Sequence, residues 1–185
     1  MLGYFLMSNH VHRVAVPAQE DSLPLALKYA HGCYACYPNA GRRSSGHVWQ
    51  GRYFSCPLDE THLWEALRYV ELNPVRAGLA VGAHLSAWSS AGVHCANGPG
   101  DSLLDLELWQ GRWTPLGWQA YLAAVGSEPT LAAIRRSTHS GRPLATEDFV
   151  QQLEKTMQRS LTPKKGGRPA KSNGRQQALP CGTEF

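Results

Sequence analysis

Residues 4–16 have the sequence pattern of a β-hairpin whose turn falls at Ser8 and Asn9. Alternate residues of a strand face the same side of a sheet, so His10 and His12 on the return strand should point in one direction. Two imidazoles that converge in this way can bind one metal ion together. The start of the chain therefore predicts a strand that carries two metal ligands.

The composition is that of a globular domain with reduced thiols. The chain has 185 residues and is 43% hydrophobic, enough for one compact domain and a smaller appendage. It contains no apolar run of membrane-spanning length. The five cysteines are Cys33, Cys36, Cys56, Cys95 and Cys181. Because their number is odd and their spacing irregular, free thiols in the cytoplasm are favoured over a disulfide framework.

Positive charge is concentrated at the end of the chain. Residues 159–185 contain six Lys or Arg side chains against Glu184 alone, whereas the net charge of the whole chain is +4. Lys164, Lys165 and Arg168 lie in a Gly- and Pro-containing stretch without apolar periodicity. Such a tail is expected to be disordered. It either binds a polyanion or serves only as a solubilising terminus, and its composition alone does not distinguish the two.

Between the hairpin and the middle of the chain, the sequence predicts two helices and one strand. Helical spacing of apolar residues predicts a helix from Ser22 that ends before Pro38. After a loop, residues 47–56 are predicted to form a strand. Asp59 is predicted to cap the next helix, which should end or kink at Asn73 because Asn73 precedes a proline.

The second half of the chain is predicted to be helical. Short helices are expected over residues 87–123, which contain four of the six tryptophans. Two longer helices are expected over residues 129–160, divided at residues 141–143, with Thr146 as a cap. The predicted fold class is therefore α+β, with helices packed on an antiparallel sheet, then a small helical region and a basic disordered tail.

Tyr69 and Asn73 are the candidate partners of the two histidines. They are four residues apart on a predicted helix, about one turn, so both side chains can reach one site. His10, His12 and the Asn73 amide suit a divalent cation such as Mg²⁺ or Mn²⁺. A cation there would polarise a phosphate, which the Tyr69 hydroxyl could attack to form a phosphotyrosine link.

Each of these features has an ordinary explanation when it is taken alone. A His-x-His pair in a strand is more often a half-buried polar pair than a metal site. A tyrosine on an amphipathic helix usually belongs to a core or an interface. Asn-Pro is an ordinary helix stop. Only the combination of the features, in a wider sequence context, favours a catalytic site.

Five segments of the chain resemble segments of one transposase family, in that family's order and spacing. They are YFLMSNHVH at residues 4–12, GHVWQGRY at 46–53, ALRYVELNPVRAGL at 66–79, AWSSA at 87–91 and GRPL at 141–144. Over residues 2–168 the chain is similar to the REP-associated tyrosine transposases of the insertion-sequence-200-like group, which are HUH endonucleases with a single catalytic tyrosine.

The resemblance implies a reaction and a set of functional residues. His10 and His12 would be metal ligands, Asn73 the third ligand and Tyr69 the nucleophile, with Mg²⁺ or Mn²⁺ as the cofactor. The substrate would be single-stranded or hairpin DNA of palindromic repeats, cut and rejoined in DNA transposition. The protein would act in the cytoplasm, at the nucleoid, as a monomer or a homodimer, without a membrane partner.

The resemblance also implies a division of the chain. Residues 1–92 would form the HUH transposase domain, residues 93–160 a helical region and residues 161–185 the basic tail. Members of the family have a further strand and a long helix before the segment that begins here at Leu2. The domain is therefore expected to be shortened at its N-terminus, with an unpaired edge on the histidine strand. Either the natural start lies further upstream or the gene is a decayed remnant.

Basic and aromatic residues near this core are candidates for DNA binding. Arg52, Arg68 and Arg76 are predicted to contact phosphates. Trp49 is expected in the core, with stacking on an unpaired base as the alternative. Residues 164–169 resemble an AT-hook, so Lys164, Lys165 and Arg168 are predicted to contact DNA as well.

Two other classes of protein remain as alternatives. One is a relative of the transposases that binds hairpin DNA without cutting it. The other is a zinc protein, because Cys33 and Cys36 have the spacing of zinc ligands and His31 lies close by. No second Cys-x-x-Cys pair accompanies them, and they fall within a predicted helix. They are therefore interpreted as ordinary helix residues.

Overall fold

A computed structural model describes residues 1–162, and within them the protein is a mixed α+β fold. The described residues form a two-stranded antiparallel sheet and eight helices, which confirms the predicted fold class at this level. Cys181 and the predicted DNA-binding residues Lys164, Lys165 and Arg168 lie outside the described part of the chain.

The predicted hairpin is present at the start of the chain. Strands β1 (Gly3–Leu6) and β2 (Val11–Val14) are antiparallel, with Phe5 opposite His12. The turn is closed by the Met7 amide, which donates to the His10 carbonyl at 2.9 Å. His10 therefore lies at the end of the turn, immediately before β2.

A later segment of the chain covers the second edge of β1. The Leu6 amide donates to the Trp88 carbonyl at 2.9 Å, and the Ser90 amide donates to the Tyr4 carbonyl at 3.0 Å. Among the described residues, β2 pairs only with β1, so its outer edge carries no backbone partner there. This free edge is the one expected for the histidine strand.

The helices have the following bounds. They are α1 (Ser22–Arg42), α2 (Glu60–Glu71), α3 (Asn73–Arg76), α4 (Ala91–His94), α5 (Glu107–Gln110), α6 (Pro115–Ala123), α7 (Glu128–Ser140) and α8 (Glu147–Met157). The short helices expected over residues 87–123 and the two longer helices after them are thus confirmed. Gly141 ends α7 with a left-handed backbone (φ 66°), a conformation that glycine adopts without steric cost.

Helix α2 is the element on which the sheet packs. It buries Leu67 and Val70, which are 0% and 5% exposed. Close approach to β1 requires a glycine, because a Cβ on Gly3 would lie 2.3 Å from the Leu67 Cδ1 atom. The hydrophobic core built on this contact also contains Trp109 and Trp118 from the later helices. It is therefore continuous across residue 92, where the predicted domain boundary lies.

Asp59 caps α2, as predicted, and also ties it to a distant segment. Its Oδ1 atom accepts from the His62 amide at 2.9 Å, and its Oδ2 atom accepts from the Thr146 amide at 2.7 Å. Burial raises the pKa of this carboxyl, but the hydrogen bonds from Thr146 and His62 outweigh burial and lower the pKa to about 2. The Thr146 side chain itself makes no capping bond to α8.

The chain changes direction after Glu71, as the Asn-Pro pair predicts. Helix α2 ends at Glu71, and the short helix α3 begins at Asn73 with Pro74 in its first turn. Asn73 itself is helical, so the preference of a residue before proline for extended backbone does not decide its conformation. Proline in a first helical turn loses no backbone hydrogen bond, so this arrangement costs little stability.

Two local predictions for the first half of the chain are wrong. Helix α1 does not end before Pro38 but continues to Arg42, because proline removes only one hydrogen bond from the helix and the last turn closes beyond it. The Arg43 and Ser44 amides close that turn on the Ala40 and Asn39 carbonyls. The helix buries none of its residues, and Tyr34 and Tyr37 on it are exposed.

The strand expected over residues 47–56 is also absent; the segment has irregular backbone. Its large side chains pack on α1 instead of on a sheet. The Trp49 indole donates to the His31 carbonyl at 2.9 Å and stacks on the His31 ring with a centroid distance of 4.2 Å. A strand needs a backbone partner, and segment 47–56 pairs neither with the free edge of β2 nor with the edge of β1 that residues 88–90 occupy.

Within residues 1–162, no helix is long and apolar enough to cross a membrane.

Replacing Asp59 with Ala should lower the free energy of unfolding by about 2 kcal/mol, because both a helix cap and the bond to Thr146 are lost. Chemical denaturation followed by tryptophan fluorescence measures the change. Ser127→Ala is the matched control, since Ser127 precedes α7 without a side-chain capping bond and should change stability by less than about 0.5 kcal/mol. Equal effects of the two variants would contradict this role of Asp59.

Candidate functional site

The hairpin and α2 bring two histidines and a tyrosine together. The ring centroids of His10 and His12 are 4.8 Å apart, and the His12 centroid lies 6.1 Å from that of Tyr69. In both pairs the rings are nearly perpendicular. Residues nearly sixty positions apart in the sequence thus form one cluster, which we call the His–Tyr site.

The strand geometry determines the direction of His12, and the turn places His10 directly before that strand. His12 shares a face of β2 with Val14, which is buried against the core, and it is therefore half-buried next to α2. Burial, and then the charges of His10 and Arg76, lower the pKa of His12 to about 4. The His12 imidazole is consequently neutral at pH 7, the state in which its ring nitrogens can bind a metal. His10 is exposed, and its Nδ1 atom lies 2.7 Å from the Asn9 Oδ1 atom.

Arg76 covers the ring of Tyr69. The guanidinium carbon lies 4.1 Å from the ring centroid, which is cation–π geometry, and the same group donates a hydrogen bond to the Tyr69 carbonyl. Helix α3 makes this contact possible, because the turn after Glu71 brings Arg76 back over the end of α2. A fixed positive charge at this position attracts an anionic phosphate.

Asn73 is half-buried at the start of α3. Its Nδ2 atom is buried and has no hydrogen-bond partner among the described residues. An orphaned amide next to Tyr69 and Arg76 in the sequence is unusual, since buried amides are normally paired. It marks Asn73 as a residue that packing alone does not satisfy.

The donor set of the His–Tyr site fits a divalent cation in part. The imidazoles of His10 and His12 converge, and the Asn73 amide lies nearby in the sequence. The described residues contain no group of three or more His, Cys, Asp and Glu side chains that could hold a metal ion. Imidazole is a ligand of transition metals, whereas magnesium prefers oxygen ligands. The two imidazoles therefore match a transition metal better than they match Mg²⁺.

The three predicted phosphate contacts have different surroundings. Arg68 is 6% exposed, donates to the Ala124 carbonyl and lies over the Tyr121 ring, with 4.9 Å between its guanidinium carbon and the ring centroid. This is a packing role that leaves little of the group for DNA. Arg52 is exposed on the irregular segment before α2, and Arg76 is exposed at the His–Tyr site.

The residues of the zinc alternative lie on α1. Cys33 and Cys36 are exposed free thiols, and His31 is engaged by the Trp49 side chain. Trp49 is half-buried against α1 and thus lies in neither of the two environments expected for it, the central core or an open stacking surface.

A buried carboxylate directly behind Tyr69 was not singled out by sequence reasoning. Glu71 is 0% exposed, and its Oε1 atom accepts from the Ser90 hydroxyl at 2.5 Å and lies 2.6 Å from the His94 Nδ1 atom. Its Oε2 atom accepts from the Trp118 indole at 2.7 Å. Burial, and then the Glu71 charge, raise the pKa of the neighbouring Cys95 thiol to about 11. We call Glu71, Ser90, His94 and Trp118 the Glu71 network.

The sequence carried one signal for this network. Glu71 interrupts an apolar stretch at the end of α2, one residue after the buried Val70. A carboxylate in such a position needs buried partners, because an unpaired buried charge is costly. Its partners lie 19 to 47 residues later in the chain, so the sequence alone does not identify them.

Comparison of the chain with protein-family models, curated proteins and solved structures finds no match. The resemblance to the transposase family therefore stays a prediction, and the geometry of the His–Tyr site stands on its own.

The His12 imidazole should titrate with a pKa of about 4 in the metal-free protein, well below that of an ordinary histidine. Because the folded-state pKa is lowered, the unfolded chain binds the proton first, and the folded state loses stability as the pH falls from about 6.5 to about 4. An NMR titration with chelator present, assigned with His12→Gln, measures the midpoint.

Arg76→Gln should raise that midpoint, because the charge of Arg76 contributes to the shift. Arg52→Gln is the control, since Arg52 is not among the groups that shift His12. A midpoint that is the same in both variants would contradict the electrostatic contact between Arg76 and His12.

Glu71→Gln should lower the free energy of unfolding by about 3 kcal/mol, because the amide cannot accept all three hydrogen bonds and one buried donor then faces another. Glu60→Gln is the matched control on the same helix, at an exposed position, and should change stability by less than about 0.5 kcal/mol. Guanidinium denaturation measures both variants. A Glu71→Gln protein as stable as the control would mean that the carboxylate charge is not required.

Proposed function

We propose that this chain is a single-tyrosine HUH-type transposase, which cuts and rejoins single-stranded hairpin DNA through a covalent link to Tyr69. The observation that carries the proposal is the convergence of His10, His12 and Tyr69, with ring centroids 4.8 Å and 6.1 Å apart in the two successive pairs. The order and spacing of the sequence motifs support the same reaction.

Tyr69 supplies the nucleophile in this proposal. Its phenol oxygen bonds to the scissile phosphorus while the bond from phosphorus to the 3′ oxygen breaks, and the 3′ oxygen leaves with a proton as a hydroxyl. The 5′ phosphate stays on the tyrosine, so the strand can be rejoined without an external energy source. Arg76 favours this step, because its charge over the Tyr69 ring stabilises negative charge on the phenol oxygen and on the phosphate.

His10, His12 and Asn73 are the residues that would hold a divalent cation. When bound, such a cation polarises the scissile phosphate and offsets its charge. The neutral state of the His12 imidazole at pH 7 supports this role. Asn73 would bind the cation through its amide oxygen. Because two of the ligands are imidazoles, we expect Mn²⁺ to support the reaction at least as well as Mg²⁺.

The proposal assigns a substrate, a fold and a place in the cell. The substrate is hairpin DNA of palindromic repeats, mobilised in DNA transposition at the nucleoid. The hairpin β1–β2 and helix α2 would be the metal-binding and nucleophile-bearing parts of an HUH domain. An α+β fold in which a helix packs against the histidine strand is compatible with that assignment.

A covalent protein–DNA adduct tests the proposal. The protein would be mixed with Mn²⁺ or Mg²⁺ and end-labelled hairpin DNA from the region that flanks its own gene, and the products separated on a denaturing gel. We expect an adduct that disappears with chelator and with Tyr69→Phe, while the hairpin affinity of Tyr69→Phe changes by less than about two-fold. Tyr29→Phe is the control, because Tyr29 is an exposed tyrosine on α1 and should leave the adduct unchanged.

Two results would overturn the catalytic assignment. An adduct that survives in Tyr69→Phe would identify another nucleophile. Tight hairpin binding by the folded protein without any adduct, with either metal, would instead favour a protein that binds DNA without cutting it.

A further inference from the structure

A basic cleft lies beside α7, apart from the His–Tyr site. Its volume is ≈ 830 Å³, and its lining includes Arg135, Arg136, His139 and Arg142, together with Val150 and Leu161. No Asp or Glu side chain is part of the lining among the described residues. Three guanidinium groups around one cavity without a carboxylate create a positive potential that attracts anions.

The guanidinium groups of this cleft retain most of their hydrogen-bond donors. Arg136 is exposed and makes no side-chain hydrogen bond or ion pair within residues 1–162. Arg135 approaches Glu128 only at 3.4 Å, and both side chains of that pair are largely exposed, so the contact is weak. Arg142 donates one N–H to the Leu161 carbonyl at 2.8 Å and has four others. The cleft can therefore bind several phosphate oxygens at once.

The cleft is electrostatically continuous with the His–Tyr site. Helix α7 packs on α2, the helix that carries Tyr69. Arg76 covers Tyr69, and although burial is the main cause of its lowered pKa, the charge of Arg135 contributes. Since Arg135 also lines the cleft, positive groups extend from Tyr69 through Arg76 onto α7.

The size and lining of the cleft indicate which class of ligand it binds. A volume of ≈ 830 Å³ exceeds the space that one inorganic phosphate needs and falls in the range of pockets for larger ligands. Val150 and Leu161 add apolar wall between the cationic groups, which suits the sugars and bases of a nucleotide chain.

We propose that the cleft of Arg135, Arg136 and Arg142 binds the phosphate backbone of a single DNA strand that continues from the Tyr69 site. This inference rests on the function proposed above and names the path of its substrate. Backbone contacts position the strand and carry no base preference. The cleft would therefore bind a single strand of any sequence and hold it in register while Tyr69 acts.

The test measures binding separately from cleavage. In a Tyr69→Phe protein, which cannot form an adduct, the affinity for a labelled oligothymidylate of about 20 nucleotides would be measured over a range of NaCl concentrations. The test variant carries Arg135→Gln and Arg136→Gln. The matched control carries Lys28→Gln and Arg42→Gln, two exposed basic residues of α1, so both proteins lose the same net charge.

Loss of two phosphate contacts should reduce the slope of log affinity against log salt by about 1.4, since each contact to a single strand contributes about 0.7. The affinity near 0.1 M salt should fall about twenty-fold, whereas the α1 control should stay within about two-fold of the parent. A third protein with Arg135→Lys and Arg136→Lys keeps the charges and should recover most of the slope. Its recovery also shows that the loss is not caused by misfolding.

The result that overturns the inference is a test variant with the slope and affinity of the α1 control. A slope that changes only with duplex DNA overturns it as well, because the occupant would then not be a single strand. The adduct assay, carried out with Tyr69 intact, distinguishes failure of this inference from failure of the proposed function. If the adduct forms but the cleft variants change neither the salt slope nor the affinity, only the cleft inference is refuted. If the cleft variants change the salt slope but no adduct forms, only the proposed reaction is refuted.

Discussion

A buried carboxylate organises the centre of this molecule. Glu71 is fully removed from water and accepts hydrogen bonds from, or lies within hydrogen-bond distance of, three side chains on two other segments. An isolated charge at such a depth would cost several kcal/mol, so the fold forms only when these partners are delivered to it. The Glu71 network thus makes the end of α2, residues 88–94 and α6 depend on one another. The stacking of His94 on Trp109 extends the dependence to α5.

The same network determines where Tyr69 lies. Glu71 follows Tyr69 by two residues on α2, and Ser90 joins the network to β1, because its hydroxyl accepts from the Tyr4 amide at 3.0 Å while donating to Glu71. On the same face of the helix, one turn before Glu71, the absence of a side chain at Gly3 lets Leu67 approach the strand. Strand and helix are therefore held at a fixed distance. The His12 ring on the neighbouring strand reaches Tyr69 as a consequence.

Arg68 and Arg76, which precede and follow Tyr69 in the sequence, have different roles because their surroundings differ. Arg68 is turned into the core, where the Ala124 carbonyl and the Tyr121 ring hold it. Arg76 lies eight residues later, outside the core, over the ring of Tyr69. The first cation stabilises packing between α2 and the later helices, and the second contributes to the electrostatics of the surface that α2 shares with α7. Nothing in the identity of the residues distinguishes them.

The sequence by itself determined the features that depend on a few neighbouring residues. Turn chemistry at Ser8 and Asn9 predicted the hairpin, Asp59 predicted the start of α2, and Gly141 predicted the end of α7, because turns and caps are decided within one or two turns of chain. Strand alternation also predicted that His10 and His12 face one way, and the centroid distance agrees.

Tertiary structure alone decided which distant groups meet. Segment 47–56 has the composition of a strand but packs on α1 without pairing to either edge of the sheet. Helix α1 runs past Pro38 because the loss of one backbone bond does not stop it. The partners of Glu71 lie up to 47 residues away, and the contact of Arg76 with Tyr69 depends on the turn made by α3. Such contacts follow from the packing of whole elements, which local sequence patterns do not specify.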